Sequence, residues 1–268
     1  MVTRKRVAAL SKEELIVFIQ SIIVAKQQDE AFYVLDSGLV MDLFCTWTCN
    51  LPMVQPFYAI KCNPNLSFIR EMVELGSIFY CSSFAEIEAV LSLGVSPDRI
   101  ILANPCKVES QIKYAYSVGP SRLETSGAKF PFGAKFGALS EEVVPLLQAT
   151  QATNLNIVGV SFHISCSGAI HFHAFDGAIA TTKIVFEQAA QLCMPKMHIL
   201  NIGGGFSAGP QFTKGASAVK NALQKYFPND SNSNLTVIAE PGRFFAELPF
   251  TLGTSIIGKR VWHQYKEY

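Results

Sequence analysis

The sequence carries almost no net charge and has no long apolar run. Its 268 residues include 22 lysines and arginines against 21 aspartates and glutamates, for a net charge of +1. This balance gives no reason to propose a nucleic-acid or anionic-membrane partner. The apolar stretch 15–19 is far shorter than the ~20 residues of a membrane-spanning helix, and the charged residues before it interrupt any signal-peptide core. These absences predict a soluble, cytoplasmic protein.

Paired cysteines and metal-binding clusters are lacking as well. The seven cysteines are an odd number and none forms a C-x-x-C motif, so reduced thiols are expected rather than a disulfide framework. Cys45 and Cys49 lie four residues apart, but without a second ligand pair they are weak evidence for zinc. His171 and His173 have no acidic or cysteine ligand at suitable spacing, so we expect no metal site.

What the sequence does contain is a repeated alternation of short apolar runs and helical segments. Hydrophobic residues make up 49% of the chain, which is enough for a sizeable core. A first series of predicted strands, each followed by a helix, occupies 57–61, 77–81 and 99–103. A second series occupies 156–162, 197–202 and 235–239. The alternation predicts parallel strands joined by crossover helices, with no clear strand between the two series in 120–137.

Polar residues stand where these predicted strands end. In a parallel β/α barrel the carboxyl ends of the strands build the active site. Each of these residues alone has an ordinary structural explanation, such as a surface lysine, a tight turn or a satisfied histidine. The residues that would converge are Lys61, Asn104, His163, Gly203, Gly204, Gly205, Glu240 and Arg243.

Together these residues meet the needs of one cofactor, pyridoxal phosphate. Its aldehyde requires a lysine amine for a Schiff base, and its phosphate requires the donors that a glycine turn offers. Its pyridine nitrogen requires a carboxylate partner. Lys61, the triple glycine and Glu240 supply one of each, and His163 can lie flat against the ring. The sequence therefore predicts a pyridoxal-phosphate site.

A family resemblance rests on five motifs, PFYAIKCNPN, RIILANPCK, GVSFHI, NIGGGF and AEPGRFF. They closely resemble eukaryotic ornithine decarboxylases, especially the plant-type enzymes, which belong to the alanine-racemase-fold class. The resemblance implies a TIM-type (β/α)8 barrel that binds pyridoxal phosphate and decarboxylates L-ornithine to putrescine in polyamine biosynthesis. Lysine or arginine is a rival substrate. The implied assembly is a homodimer, or a heterodimer with a full-length subunit.

The resemblance also implies a role for each matching position. Lys61 would carry the Schiff base, His163 would stack on the cofactor ring, and Glu240 would pair with the pyridine nitrogen. Arg122 matches a ring-contacting arginine of the family. The residues that would hold the phosphate are Ser167, Gly203, Gly204, Gly205 and Arg243, and Gly242 would also bind the cofactor. The supporting charged positions near the lysine and the dimer interface are Glu86 and Lys135.

The domains that the resemblance implies are unequal in size. An N-terminal segment over 1–35 would pack on a β domain, the pyridoxal-phosphate barrel would span 36–249, and 250–268 would be a remnant of the C-terminal β domain, most of which is missing. The family also carries a further strand, helix and strand between Gly119 and Arg122. We therefore expect a barrel with an internal deletion, in which about six of the eight strands are recognisable.

Two local departures from the family leave a second hypothesis open. The family has an aspartate where this chain has Tyr80, and the loop HISCSG, which contains Ser167, is one residue longer. The alternative is a catalytically inactive paralogue that binds pyridoxal phosphate or regulates a full-length subunit by forming a heterodimer. A racemase of the same fold is a third, less favoured hypothesis.

Overall fold

The computed structural model describes residues 8–27, 30–103, 109–118, 122–124, 137–153, 155–164, 173–228 and 234–259. Its α-helices are α1 Lys12–Lys26, α2 Ser37–Asn50, α3 Leu66–Glu74, α4 Phe84–Leu91, α5 Glu109–Val118, α6 Ser140–Ala152, α7 His173–Gln191, α8 Pro210–Tyr226 and α9 Arg243–Ala246. Its strands are β1 Phe32–Leu35, β2 Val54–Ala59, β3 Ile78–Cys81, β4 Ile100–Ala103, β5 Arg122–Glu124, β6 Gly159–Ser161, β7 Ile199–Asn201, β8 Thr236–Ala239 and β9 Phe250–Gly253.

Seven of these strands form one sheet in the order β5-β4-β3-β2-β8-β7-β6. Every neighbouring pair in it is parallel, as crossover helices require. Strands β2 and β8, which are distant in sequence, pair at the middle of the sheet with Gln55 opposite Ile238. Within the described part of the chain, β5 and β6 each pair on one side only.

Strand β5 corrects one prediction from the sequence. The span 120–137 showed no clear strand, yet the backbone of Arg122 pairs with Ile101 of β4, and this brings the sheet to seven strands. A three-residue strand contains too few side chains to display a period of two, so pairing with a neighbour reveals it where local pattern cannot.

The strands separate two apolar layers, because successive side chains of a strand point to opposite faces. On the outer face, strand residues join the large core beneath the helices, among them Tyr58, Phe79, Leu102, Leu200 and Val237. On the inner face, a second buried cluster consists of Phe57, Ala59, Tyr80, Ile101, Ala103 and Ile238. Any residue an even number of positions from these inner residues, on the same strand, also faces inward.

A separate antiparallel ribbon joins the two ends of the described fold. Strand β1 pairs with β9, with Phe32 opposite Gly253 and Leu35 opposite Phe250. The chain then enters α2 at Asp36, whose Oδ1 accepts a hydrogen bond from the Leu39 N–H at 3.0 Å. Among the described residues, none of the helices is both long enough and apolar enough to cross a membrane.

Candidate active site

Lys61 lies just beyond the carboxyl end of β2. The strand was predicted to run to this residue, but it ends at Ala59 and gives way to the 3-10 turn Ile60–Cys62. The following loop fixes this early end, because the buried Tyr58 hydroxyl donates to the Asn63 carbonyl at 2.9 Å. Lys61 therefore projects from a tight turn rather than from the tip of a strand.

The amine of Lys61 is directed toward the inner face. Its Nζ lies 5.9 Å from the centre of the Tyr80 ring, and Tyr80 belongs to the buried inner cluster. The Ala59 N–H donates to the Pro241 carbonyl at 3.3 Å, which joins the end of β2 to the segment after Glu240. Lys61 and Glu240 therefore follow the carboxyl ends of neighbouring parallel strands. We call this end of the sheet its mouth.

Glu240 is a buried carboxylate at this mouth, with 8% of its surface exposed. It lies two residues beyond the inner-face Ile238 and so continues that face. Its Oε1 accepts a hydrogen bond of 2.5 Å from the Asn201 side-chain amide. A buried carboxylate is costly unless it is hydrogen-bonded, and this contact supplies one such bond.

The triple glycine forms a turn that no side chain could fit. Gly203 has a φ of +70°, and a Cβ on it would lie 2.3 Å from the Phe162 carbonyl oxygen. A Cβ on Gly204 would lie 2.7 Å from the carbonyl oxygen of Glu240. Gly205 also has a positive φ, of 86°. The glycines thus leave main-chain atoms at the mouth of the sheet where side chains would otherwise stand.

His163 is held against this turn. Its Nδ1 accepts a hydrogen bond from the Gly204 N–H at 3.2 Å, which assigns the proton of a neutral imidazole to Nε2. The residue is exposed and follows β6. The histidine and the glycine turn therefore form one unit at the mouth of the sheet.

Gly242 and Arg243 approach the turn of Lys61 from β8. A Cβ on Gly242 would lie 2.7 Å from the Cβ of Cys62, so only glycine allows the two segments to pack this closely. Burial raises the pKa of the Cys62 thiol, while the positive charge of Arg243 opposes that shift and the negative charge of Glu247 adds to it. The Arg243 guanidinium is thereby close to the residue next to Lys61.

Glu86 lies in the first turn of α4 and takes part in its N-terminal hydrogen bonds. Its Oε2 accepts a hydrogen bond from the Ser82 N–H at 2.6 Å, and its own N–H donates to the Ser83 hydroxyl at 3.4 Å. The pKa of the Cys81 thiol and of the Tyr58 hydroxyl is raised mainly by burial, and the charge of Glu86 adds to the rise in both. Glu86 is thus a charge close to the ends of β2 and β3.

Several predicted site residues cannot be located in the same way. Ser167, Lys135 and Asn104 lie outside the described residues, and Arg122 is described only by its backbone in β5. Conversely, sequence reasoning missed Asn201, although NIGGGF contains it. A polar residue at the end of an apolar strand, two positions before the glycine turn, was the signal that could have identified it.

The residues present fit a pyridoxal phosphate group. A main-chain cradle that a Cβ would fill, a buried carboxylate and an inward-directed lysine amine meet at one mouth of a parallel sheet. These are the donor, the acid and the amine that this cofactor needs. The fold and the site together define a cofactor-dependent enzyme class built on a β/α barrel.

Comparison with known proteins gives the family. The sequence model of the pyridoxal-dependent decarboxylases, pyridoxal binding domain, matches residues 38–129 and 120–247. The chain belongs to this family of pyridoxal-dependent decarboxylases. It is 49% identical to the chloroplastic ornithine decarboxylase of Nicotiana glutinosa, covering 98% of this chain and 67% of that protein. It is 36% identical to the ornithine decarboxylase of Saccharomyces cerevisiae, covering 87% of this chain and 55% of that protein.

Solved structures confirm the predicted fold class. The Paramecium bursaria Chlorella virus arginine decarboxylase bound to agmatine superposes with a TM-score of 0.85 at 32% identity, over 92% of this chain and 73% of that one. Ornithine decarboxylase from Entamoeba histolytica gives a TM-score of 0.83 at 28% identity, over 95% and 78% of the two chains. The parallel seven-stranded sheet is therefore the TIM-type barrel sheet of this family.

The same comparisons bear on the internal deletion. The alignment with the Nicotiana glutinosa enzyme spans 293 positions, which exceeds the 268 residues of the chain by 25. At least that many positions of the relative have no counterpart here. The two family matches overlap at residues 120–129, next to the expected deletion between Gly119 and Arg122. The loss of a strand, helix and strand at this point stays a prediction.

Proposed function

We propose that this chain is a pyridoxal-phosphate-dependent decarboxylase that converts L-ornithine to putrescine in polyamine biosynthesis. The observation that carries the proposal is the meeting of Lys61, the glycine turn and Glu240 at one mouth of the barrel sheet. Ornithine is preferred over arginine and lysine because identity to the tobacco ornithine decarboxylase is 49%. Identity is 32% to the viral arginine decarboxylase and 26% to the lysine decarboxylase of Selenomonas ruminantium.

Each residue has a defined task in this proposal. The bound cofactor supplies an electron sink for the electron pair left at the substrate Cα when CO₂ departs. Lys61 binds the cofactor through its amine, and Glu240 holds a proton at the pyridine nitrogen. His163 covers one face of the ring. Arg243 binds the phosphate through its N–H donors and positive charge, and the glycine turn leaves room for the phosphate because no side chain projects there.

Two measurements on the full chain test this proposal. Titration with pyridoxal phosphate, followed by visible absorbance, borohydride reduction and mass spectrometry, is expected to give one modified residue, Lys61. Release of labelled CO₂ from carboxyl-labelled ornithine is expected to exceed release from lysine and arginine. Lys61→Ala is the control, in which both signals are lost. A chain that binds the cofactor and releases no CO₂ from any of the three amino acids contradicts the decarboxylase proposal.

The second candidate function is that of an inactive, cofactor-binding partner. The observation that favours it is Tyr80, whose ring faces Lys61 where the resemblance implies an aspartate. In this case the chain binds the cofactor without turnover and forms a heterodimer with a full-length subunit, whereas the first candidate forms a homodimer. Co-expression with a full-length relative, followed by mass measurement of the purified complex, distinguishes the two assemblies.

The cellular location is part of the proposal as well. Among the described cysteines all are free thiols (Cys45, Cys49, Cys62, Cys81 and Cys193), which suits a reducing compartment such as the cytoplasm. The ornithine decarboxylases of Nicotiana glutinosa and Nicotiana glauca, each 49% identical to this chain, carry the name chloroplastic. Fractionation of the source cells, with the chain detected by mass spectrometry, decides between cytoplasm and plastid.

A further inference from the structure

The side chain of Asn201 connects two parts of the cofactor site. Asn201 ends β7 opposite Ile238 of β8 and is 3% exposed. Its Oδ1 accepts a hydrogen bond from the Gly203 N–H at 2.9 Å. Its Nδ2 donates to Glu240 Oε1 at 2.5 Å. One amide group thus touches both the glycine turn and the carboxylate.

A backbone bond closes the same arrangement into a ring. The Glu240 N–H donates to the Gly203 carbonyl at 2.8 Å, so Gly203 is held through its N–H by Asn201 and through its carbonyl by Glu240. This ring of hydrogen bonds needs both polar atoms of the Asn201 amide, Oδ1 as the acceptor and Nδ2 as the donor. An ionised carboxylate has no donor and an aliphatic side chain has neither group.

We propose that Asn201 is a positioning residue of the cofactor site. It acts through Glu240, because it fixes the carboxylate that faces the cofactor ring relative to the glycine turn that binds the phosphate. The spacing between these two anchors is then set by one buried side chain rather than by a mobile carboxylate. The inference rests on the proposed function only in requiring that the chain binds pyridoxal phosphate, and it does not depend on the substrate.

The first test removes the amide but keeps the branched shape of the side chain. Asn201→Leu leaves Glu240 Oε1 and the Gly203 N–H without this partner, so pyridoxal phosphate is expected to bind roughly 10-fold to 100-fold more weakly. Thr182→Val is the matched control. Thr182 is 1% exposed and donates to the Ala178 carbonyl within α7 at 3.0 Å. The Thr182→Val variant also loses a buried hydrogen bond, but its dissociation constant for pyridoxal phosphate is expected to stay within about twofold of wild type.

A double-mutant cycle separates positioning from general stability. The dissociation constant of pyridoxal phosphate is measured for wild type, Asn201→Leu, Glu240→Ala and the double variant. If Asn201 acts through Glu240, its replacement weakens binding less than about threefold once Glu240 is already changed. An equal loss in both backgrounds overturns the proposal. Should Asn201→Leu be insoluble, the smaller and polar Asn201→Ser takes its place under the same criterion.

The outcomes for this inference and for the proposed function are distinct. Cofactor binding without CO₂ release, together with the expected non-additivity, contradicts the decarboxylase proposal and supports the role of Asn201. CO₂ release together with additive effects contradicts the role of Asn201 alone. A wild-type chain that binds no pyridoxal phosphate contradicts both.

Discussion

Tyr80 is the single residue that most affects the choice between the two candidate functions. Its buried ring offers the Lys61 amine an aromatic face at 5.9 Å, a distance at which a cation is attracted to the ring. A tyrosine ring attracts a cation but supplies no carboxylate that could pair with the amine or move a proton. The chemistry next to Lys61 therefore depends on this one side chain.

Replacing Tyr80 by aspartate tests its effect on turnover. We expect Tyr80→Asp to raise CO₂ release from labelled ornithine roughly 10-fold or more, because a carboxylate beside the lysine can act in acid–base catalysis. The melting temperature is expected to fall, since a ring that is 7% exposed is lost from the inner cluster. Tyr80→Phe keeps the ring and is expected to leave the rate unchanged. If Tyr80→Asp releases CO₂ no faster than wild type, Tyr80 does not limit turnover.

Replacing Gly204 tests whether the glycine turn must remain free of side chains. Gly204→Ala introduces a Cβ 2.7 Å from the Glu240 carbonyl oxygen and 3.0 Å from His163 Cε1, so the backbone must shift. We expect a loss of stability of about 1–3 kcal/mol and weaker binding of pyridoxal phosphate. Gly258→Ala, where a Cβ meets nothing within 4 Å, is the control. Thermal melts and cofactor titration measure both effects, and equal behaviour of the two variants would contradict the cradle.

The thiol of Cys62 reports on the charge of Arg243. The Cys62 side chain is exposed, but partial burial of its thiol raises the pKa, so less thiolate is present at a given pH and alkylation should be slower than for a free cysteine. Arg243→Ala removes a charge that lowers the pKa, so it should slow alkylation further. Glu247→Gln removes a charge that raises the pKa and should have the opposite effect. Rates of iodoacetamide labelling by mass spectrometry at increasing pH check these signs, and identical rates in both variants would contradict the assigned positions.

At the scale of elements, the turn between β2 and α3 explains why Lys61 stands where it does. Asn65 caps α3, with its Oδ1 accepting from the Phe68 N–H at 3.1 Å, and its own N–H donates to Asn63 Oδ1 at 3.1 Å. Together with the bond from the Tyr58 hydroxyl to Asn63, these contacts convert the end of a strand into a compact loop. The position of Lys61 is thus set by its neighbours along the chain.

Removing this cap should loosen the loop that carries Lys61. Asn65→Ala is expected to lower the free energy of unfolding by about 1 kcal/mol, which is typical for a lost N-cap. Asn65→Ser should restore most of it, because serine is a good capping residue. Melting temperatures of the three proteins test the expectation. A melt of Asn65→Ala that matches wild type would show that the cap contributes nothing measurable.

Element predictions succeeded where the local pattern was strong. The pattern S-x-x-E at Ser11 and Glu14 is typical of a capping box at a helix start, and α1 begins there, with the Ser11 hydroxyl and the Glu14 carboxylate each accepting a backbone N–H. Strand ends were less predictable, because β2 ends two residues before Lys61 through contacts with residues that follow it. Strand β5 was missed because its only signal is its pairing with β4.

At the scale of the whole molecule, the site depends on which strands are neighbours. Lys61 and Glu240 are far apart in sequence, and their meeting could be expected only because the strand–helix alternation predicted a parallel β/α barrel. The pairing of β2 with β8 then brings them to one mouth. Local pattern could mark Asn201 only as a polar residue at a strand end, because its contact with Glu240 depends on the register between β7 and β8.

The sheet order predicts an uneven distribution of stability. Strands β2 and β8 are paired on both sides, whereas within the described part β5 and β6 pair on one side only. Amides of β2 and β8 should therefore exchange with solvent more slowly than those of β5 and β6, by on the order of 100-fold. Hydrogen exchange with mass spectrometry, on peptides that cover all four of these strands, measures this difference. Equal protection would mean that the outer edges of β5 and β6 are covered.

Bound pyridoxal phosphate should increase the difference in amide protection between the central strands and β5. Lys61, Asn201 and Glu240 follow or end strands β2, β7 and β8, which lie side by side within the sheet, so bound pyridoxal phosphate should add protection there. Strand β5 lies three strands away from β2 and should gain little, because none of the three residues lies on β5 or on its neighbour β4. Exchange with and without the cofactor, with Lys61→Ala as the control, tests this. An equal gain in β5 would indicate that the barrel responds as a single closed unit.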